Sequence, residues 1–209
     1  MKRIAAWLIL GLATWSCKNN NFLPQEGDLL FCVAANSAMS QAIVDATQME
    51  DHLQYDHVAI YALIDNTPSV IEAHPKGVIC RPFGEFLEEA ADINGQKGIT
   101  VMRLTRPIDL AAAIERAKAH IGQPYDWSYL PDNQKTYCSE LVYECYLNAE
   151  GKPVFEASPM RFRDADGKIP TFWAELFERL GEAIPEGVPG TNPNDMSCAP
   201  ILQEVHRYF

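Results

Sequence analysis

Apolar and polar residues alternate along the chain as short strands in its first half and as amphipathic helices in its second. Gly27-Asp28 is a turn signal, and Leu29-Leu30-Phe31-Cys32-Val33 follows as a continuous apolar run, the pattern of a buried strand. A weak helical pattern runs from Asn36 to Met49. Asp56 to Ile64 is rich in β-formers, Asp65-Asn66-Thr67-Pro68 is a cluster of turn formers, and Ser69 to His74 is β-prone again, which predicts a hairpin. A short helix over Phe83–Ala91, a turn over Gly95–Gly98 and a strand over Ile99–Leu104 complete this half.

Two helices then carry a clear 3.6-residue period. Behind Asp109, a candidate N-cap, Leu110, Ala113, Ile114, Ala117 and Ile121 share one face, and Gly122 and Pro124 end the run. In Tyr137-Cys138-Ser139-Glu140-Leu141-Val142-Tyr143-Glu144-Cys145-Tyr146 the inward stripe is Cys138, Leu141, Val142, Cys145 and Tyr146, so both sulfurs face the core. Phe172–Leu180 is a further amphipathic helix. Ile184 to Pro200, rich in Pro, Gly and Asn, reads as a loop long enough to shape a cleft. There is no internal repeat.

A chain of 209 residues, 47% of them hydrophobic, can bury one sizeable core, and one domain over 23–209 is expected. The segment before it has a different character. Lys2 and Arg3 precede an apolar run from Ile4 to Ala13 and then Thr14-Trp15-Ser16 before Cys17, the layout of an export signal over residues 1–16. The run is shorter than the roughly 20 residues that span a bilayer. A small residue directly before a cysteine resembles a bacterial lipoprotein processing site, which makes Cys17 the lipidated first residue and residues 17–22 a polar tether. Trp15 departs from the small residue usual at its position, and ordinary cleavage near Ser16 is the alternative. The expectation is an exported envelope protein held to a membrane through Cys17.

The formal charge is −11, and 15 basic against 28 acidic residues remain once Lys2 and Arg3 are removed. That balance excludes a broad phosphate-binding surface and hence nucleic acid as a partner. An acidic substrate would need local cations such as Lys76, Arg81 or Arg103.

With Cys17 set aside, five cysteines remain, at 32, 80, 138, 145 and 198, so at least one stays a free thiol. The spacing of Cys138 and Cys145, with no histidine near them in sequence, does not suit zinc, and neither metal nor cofactor is expected. Cys145 lies two turns inside its helix among apolar neighbours and reads as core packing. Cys138 begins that helix, because Pro131 keeps the preceding segment from being helical. A helix N-terminus favours negative charge and offers free backbone N–H groups that can receive an oxyanion. A base is still required, and His52, His57, His74, His120 and His206 are candidates. His57, at the start of an apolar strand, would present its ring at a sheet end. Glu72 and His74 share one face of the neighbouring strand, and either can orient the second ring nitrogen.

Gly27-Asp28-Leu29-Leu30-Phe31, Asp56-His57-Val58-Ala59-Ile60-Tyr61 and Val70-Ile71-Glu72-Ala73 resemble three consecutive blocks of the NlpC-type papain-like cysteine hydrolases. Gly122-Gln123-Pro124-Tyr125 and Tyr137-Cys138-Ser139 match the family's remaining blocks, which in ordinary members come first. Here they come last, the circularly permuted order of the YaeF/YiiX-like group of amidases. The resemblance implies an α+β fold, an antiparallel sheet packed against helices, with the nucleophile at a helix N-terminus. It also implies Cys138 as nucleophile, His57 as base, Glu72 as third member, and Tyr125 and Tyr137 beside the substrate. Glu140 stands where ordinary members have glycine and would place a charge near the thiol. The implied reaction is hydrolysis of an amide in a wall peptide or related N-acyl amine through a thioester. The alternatives are a lipid acyl hydrolase or acyltransferase, and a binding lipoprotein without catalysis.

Overall fold

A computed structural model describes residues 22–209, so the expected signal peptide, Cys17 and most of the tether lie outside the described residues. The first half contains β1 (Leu29–Val33), α1 (Ala38–Thr47), β2 (Tyr55–Ile64), β3 (Thr67–His74), β4 (Gly77–Pro82) and α2 (Phe83–Glu89). A small hairpin of β5 (Asp92–Ile93) and β6 (Gln96–Lys97) leads to β7 (Ile99–Leu104) and α3 (Leu110–Ala119). The second half contains α4 (Cys138–Cys145), β8 (Ser158–Pro159), α5 (Thr171–Leu180), β9 (Pro189–Gly190), α6 (Pro193–Ser197) and β10 (Leu202–Arg207).

Six strands form one sheet in the order β10-β7-β1-β2-β3-β4, every neighbouring pair antiparallel. Leu29, Phe31, Val58, Ile60 and Ile71 fill one face against the buried stripes of α3, α4 and α5. Leu30, Ala59, Tyr61 and Val70 fill the other against Phe83 and Phe86 of α2. Coverage of both faces is why β1 and β2 read as continuous apolar runs rather than as alternation. No helix among the described residues is long and apolar enough to cross a membrane.

The hairpin predicted around residue 65 is present, but its turn is tighter than the sequence suggested. Asp65 and Asn66, both at positive φ, make a two-residue turn, and Thr67 and Pro68 already pair with Ile64 and Leu63. Pro68 is tolerated there because β4 pairs only from Ser69 onward, so no neighbour asks for the missing N–H.

Other expectations are corrected. Ile121 does not share the inward face of α3: the helix ends at Ala119 and Ile121 is 45% exposed. The segment Ile184–Pro200 is not wholly loop, since it holds β9 and α6, the latter capped by Asn192. Strands β4 and β10 carried no expectation.

Candidate active site

The site starts from strand register. Ile60 pairs with Ile71, and Ile71 with Cys80. His57, Glu72 and Arg81 each lie an odd number of residues from that row, so all three project from the α2 face. At the start of β2, Cys32 pairs with His57 but Val33 pairs with Tyr55, leaving Asp56 as a bulged residue. A bulge re-aims the side chains beside it. Asp56 points its carboxylate back to accept the Ala35 N–H at 2.9 Å.

His57 Nε2 is 2.6 Å from Glu72 Oε2. The Cys138 sulfur lies close enough to the ring to favour its charged form. Because α4 packs on the opposite face of the sheet, thiol and histidine meet at the sheet end where β2 begins. Burial opposes charging of His57, but the hydrogen bonds to Cys138 and Glu72 and the Glu72 charge outweigh it and hold the ring well above the ordinary histidine range. Burial likewise opposes ionisation of Glu72, and the paired His57 and Arg81 reverse this and hold its carboxyl below the usual range.

Arg81 is the site residue that sequence reasoning placed wrongly. Its Nε donates to Glu72 Oε1 at 2.6 Å and its Nη1 to Glu89, so it is committed to the Glu72 carboxylate rather than free for an acidic substrate. Arg103 is committed too, in a bidentate pair with Asp28 at 2.7 and 2.8 Å. Lys76 is exposed in the β3–β4 turn, away from these contacts. The signal for Arg81 was present in Gly77-Val78-Ile79-Cys80-Arg81, a glycine turn followed by a short β-run.

The remaining histidines separate cleanly. His74 lines the same cleft as His57 and Glu72, yet its Nδ1 accepts the Lys76 N–H at 3.1 Å, and burial pushes its ring below the ordinary range. His120 caps α3 and contacts Gln123 at 2.8 Å. His206 stacks on Phe22 in β10. His52 lies in the turn after α1, against Cys198.

Around Cys138 the backbone is fixed from three sides. The first helical bond of α4 runs from the Leu141 N–H to Tyr137 O, so the Cys138 and Ser139 N–H groups precede the ladder. Thr191 donates its N–H to the Tyr137 hydroxyl and its hydroxyl to Ser139 Oγ, both at 3.0 Å. The Gly122-Gln123-Pro124-Tyr125 stretch is tied to β4, since the Val78 N–H donates to Gln123 O at 2.8 Å and the Gly122 N–H to Val78 O at 2.9 Å. Tyr125 in turn bridges to Thr136, bringing the loop back to Cys138.

Glu140 folds back toward the helix start and accepts the Tyr137 N–H at 3.4 Å. Burial, and then the charge of Glu144, push its carboxyl up to about 8, so near neutral pH it is mostly uncharged. The unwelcome negative charge beside the thiol is thereby largely removed. Cys145 is fully buried, and burial pushes its thiol up to about 12, as befits a core residue.

Two hollows meet at this point and share Asp56. One, of about 190 Å³, lies beside His57 and is lined by Cys32, Glu72, His74, Arg81 and Phe86. The other, of about 40 Å³, lies beside Cys138 under Tyr125, Tyr129, Tyr137, Phe162 and Trp173, with Arg161 at its wall. Tyr125 and Tyr137, expected beside the substrate, are thus both in the Cys138 hollow. Tyr129, Phe162 and Trp173 were not foreseen, because aromatic residues at helical or loop spacing give no sign of which cavity they will line. The segment Thr191–Pro193 closes the hollow. All five described cysteines are free thiols. Among the described residues no group of three or more His, Cys, Asp or Glu side chains is placed to hold a metal ion.

Comparison with known proteins agrees with the order of these blocks. Residues 23–206 match the family described as permuted papain-like amidase enzymes, YaeF/YiiX, C92 family. The chain belongs to this family. It is 30% identical over 189 residues to the uncharacterised protein YiiX of Escherichia coli, covering 87% of this chain and 86% of that one. A crystal structure titled metalloprotein yiiX, from the same species, superposes with a TM-score of 0.72 at 29% identity, covering 90% of this chain and 99% of that one. The α+β permuted papain-like architecture is therefore shared along nearly the whole chain.

Proposed function

We propose that this protein is a cysteine amide hydrolase in which Cys138 is the nucleophile, His57 the general base and acid, and Glu72 the residue that orients and charges His57. The observation that carries the reading is the His57 ring bound at 2.6 Å to a buried carboxylate, with the Cys138 sulfur close enough to act on the ring's charge. In the resting site the Cys138 proton already sits on His57, and the sulfur attacks the carbonyl carbon as a thiolate. The Cys138 backbone N–H stabilises the oxyanion, the C–N bond breaks as His57 protonates the leaving amine, and a thioester remains. Water, deprotonated by His57, then attacks the thioester, and the acid leaves as Cys138 is regenerated. Arg81 holds Glu72 charged and in place. In the same reading Cys17 anchors the enzyme at the cell envelope.

The hollow beside Cys138 favours a small acyl group. Its volume is about 40 Å³ and its walls are largely aromatic, which restricts what can enter beside the sulfur. A methyl-bearing aminoacyl or short acyl group fits, whereas a long fatty chain does not, which favours peptide-like amides over phospholipid. The test is a series of amides differing only in acyl length, assayed with wild type and Cys138→Ala. Cys138-dependent turnover that falls steeply beyond about four carbons supports the reading. Turnover that rises with chain length would turn the assignment toward a lipid acyl hydrolase, and no Cys138-dependent product from either series would count against catalysis.

A further inference from the structure

Met49 and His52, in the turn that joins α1 to β2, lie against Cys198 at the end of α6. The Cys198 Sγ is 3.6 Å from the Met49 Sδ and 3.9 Å from the His52 Nδ1. Donors bound to one ion at roughly 2.0–2.3 Å stand about 3.3–4.0 Å apart in trigonal or tetrahedral geometry, the longer values belonging to pairs of sulfurs. The sulfur–sulfur separation fits such a pair as it stands, and the sulfur–nitrogen separation exceeds the trigonal value of about 3.7 Å by an amount that a small side-chain rotation closes.

The turn that carries Met49 and His52 is already set. Gln54 Nε2 donates to Met49 O and to His52 O, each at 2.8 Å, and Asp51 adopts a positive φ. Cys198 is fixed relative to that turn by Asn194. This buried side chain donates to Thr47 Oγ1 at 2.8 Å and accepts the Tyr55 N–H at 2.7 Å, joining α6 to both ends of the turn. Little ordering is left for an ion to impose. Apolar burial does not account for the cluster, since Cys198 and His52 are both exposed.

A thiol, a thioether and an imidazole are soft or borderline donors, and no carboxylate of the kind that attracts magnesium, calcium or manganese takes part. We infer that Cys198, Met49 and His52 form a surface site for a soft monovalent metal ion of the copper(I) class. On binding, the Cys198 S–H bond breaks, the proton goes to solvent, a metal–sulfur bond forms, and the oxidation state of the metal is unchanged. The set is separate from Cys138, His57 and Glu72.

The test is anaerobic addition of an equimolar amount of copper(I), as its acetonitrile complex, to the full chain. Pulse alkylation then follows, with each cysteine read separately by mass spectrometry. Copper(I) is expected to slow labelling of Cys198 about ten-fold or more while exposed Cys80 stays reactive, and Met49→Leu and His52→Ala are expected to lose most of that protection. Unprotected Cys198 in the wild type would overturn the site, as would protection that survives in both variants, which means a thiol acting alone. Equal protection by zinc(II) would overturn the soft-ion assignment. X-ray absorption on the copper-loaded wild type decides independently of any variant: a mixed sulfur and nitrogen shell is expected, and sulfur alone would contradict it.

Discussion

Glu72 and Glu140 are buried carboxylates close to Cys138 that are held in opposite charge states. Glu72 faces a histidine and an arginine, so its ionised form is favoured. Glu140 faces Glu144 and a single backbone N–H, so its neutral form is favoured up to about pH 8. For an acid whose folded-state value is raised, stability falls as pH rises from the unfolded carboxylate value to the folded one. Glu140→Gln keeps the acceptor for Tyr137 N–H and removes the titration. The variant is expected to gain on the order of 2–4 kcal/mol over wild type between pH 5 and pH 8, measured by urea unfolding at each pH. Equal pH profiles would mean that Glu140 is charged and solvated.

At Glu72 the sign is reversed and the readout is catalytic. The proposed resting site needs protonated His57, which is present below its raised folded-state value and lost as pH rises through it. Glu72→Gln removes the charge that holds the ring up, while burial still pushes it down. The alkaline limb of kcat/KM is therefore expected to move to lower pH, with turnover reduced about 10²–10⁴-fold. An unmoved limb would transfer the orienting role away from Glu72.

Among the elements, β1, β2, β3, β7 and the helices α3, α4 and α5 were legible because a covered face leaves a run or a period in the sequence. The edge strand β10 was not: Leu202-Gln203-Glu204-Val205-His206-Arg207 carries a register shift between Glu204 and His206 that breaks alternation. Helix α6 has only five residues and is held by the side chain of Asn194 rather than by an apolar stripe. The candidate site was legible where a motif coincided with an element end, as for His57 and Cys138. Arg81 was obscured because β4 was unread, so nothing set it beside Glu72. Gly77 shows how strongly that strand is coupled to the site. Its φ is +115°, and a Cβ there would stand 2.6 Å from Gln123 O, in the stretch that carries Tyr125. Gly77→Ala is expected to cost about 2–4 kcal/mol in urea unfolding and to depress activity even where the protein remains folded.

Across the whole molecule, the permuted chain order places His57 and Glu72 on a hairpin made early and Cys138 on a helix made later, on opposite sides of one sheet. Packing of α4 on the sheet through Leu141 and Val142 brings the two together. The proposed mechanism requires a covalent acyl-enzyme. The direct measurement is intact-protein and peptide mass spectrometry after rapid acid quench of the full chain turning over a short-chain activated ester or amide. The account predicts an acyl adduct on Cys138, absent in Cys138→Ala and strongly diminished in His57→Ala. Hydrolysis that continues in Cys138→Ala, or an adduct carried by Cys32, Cys80 or Cys198 instead, would contradict it.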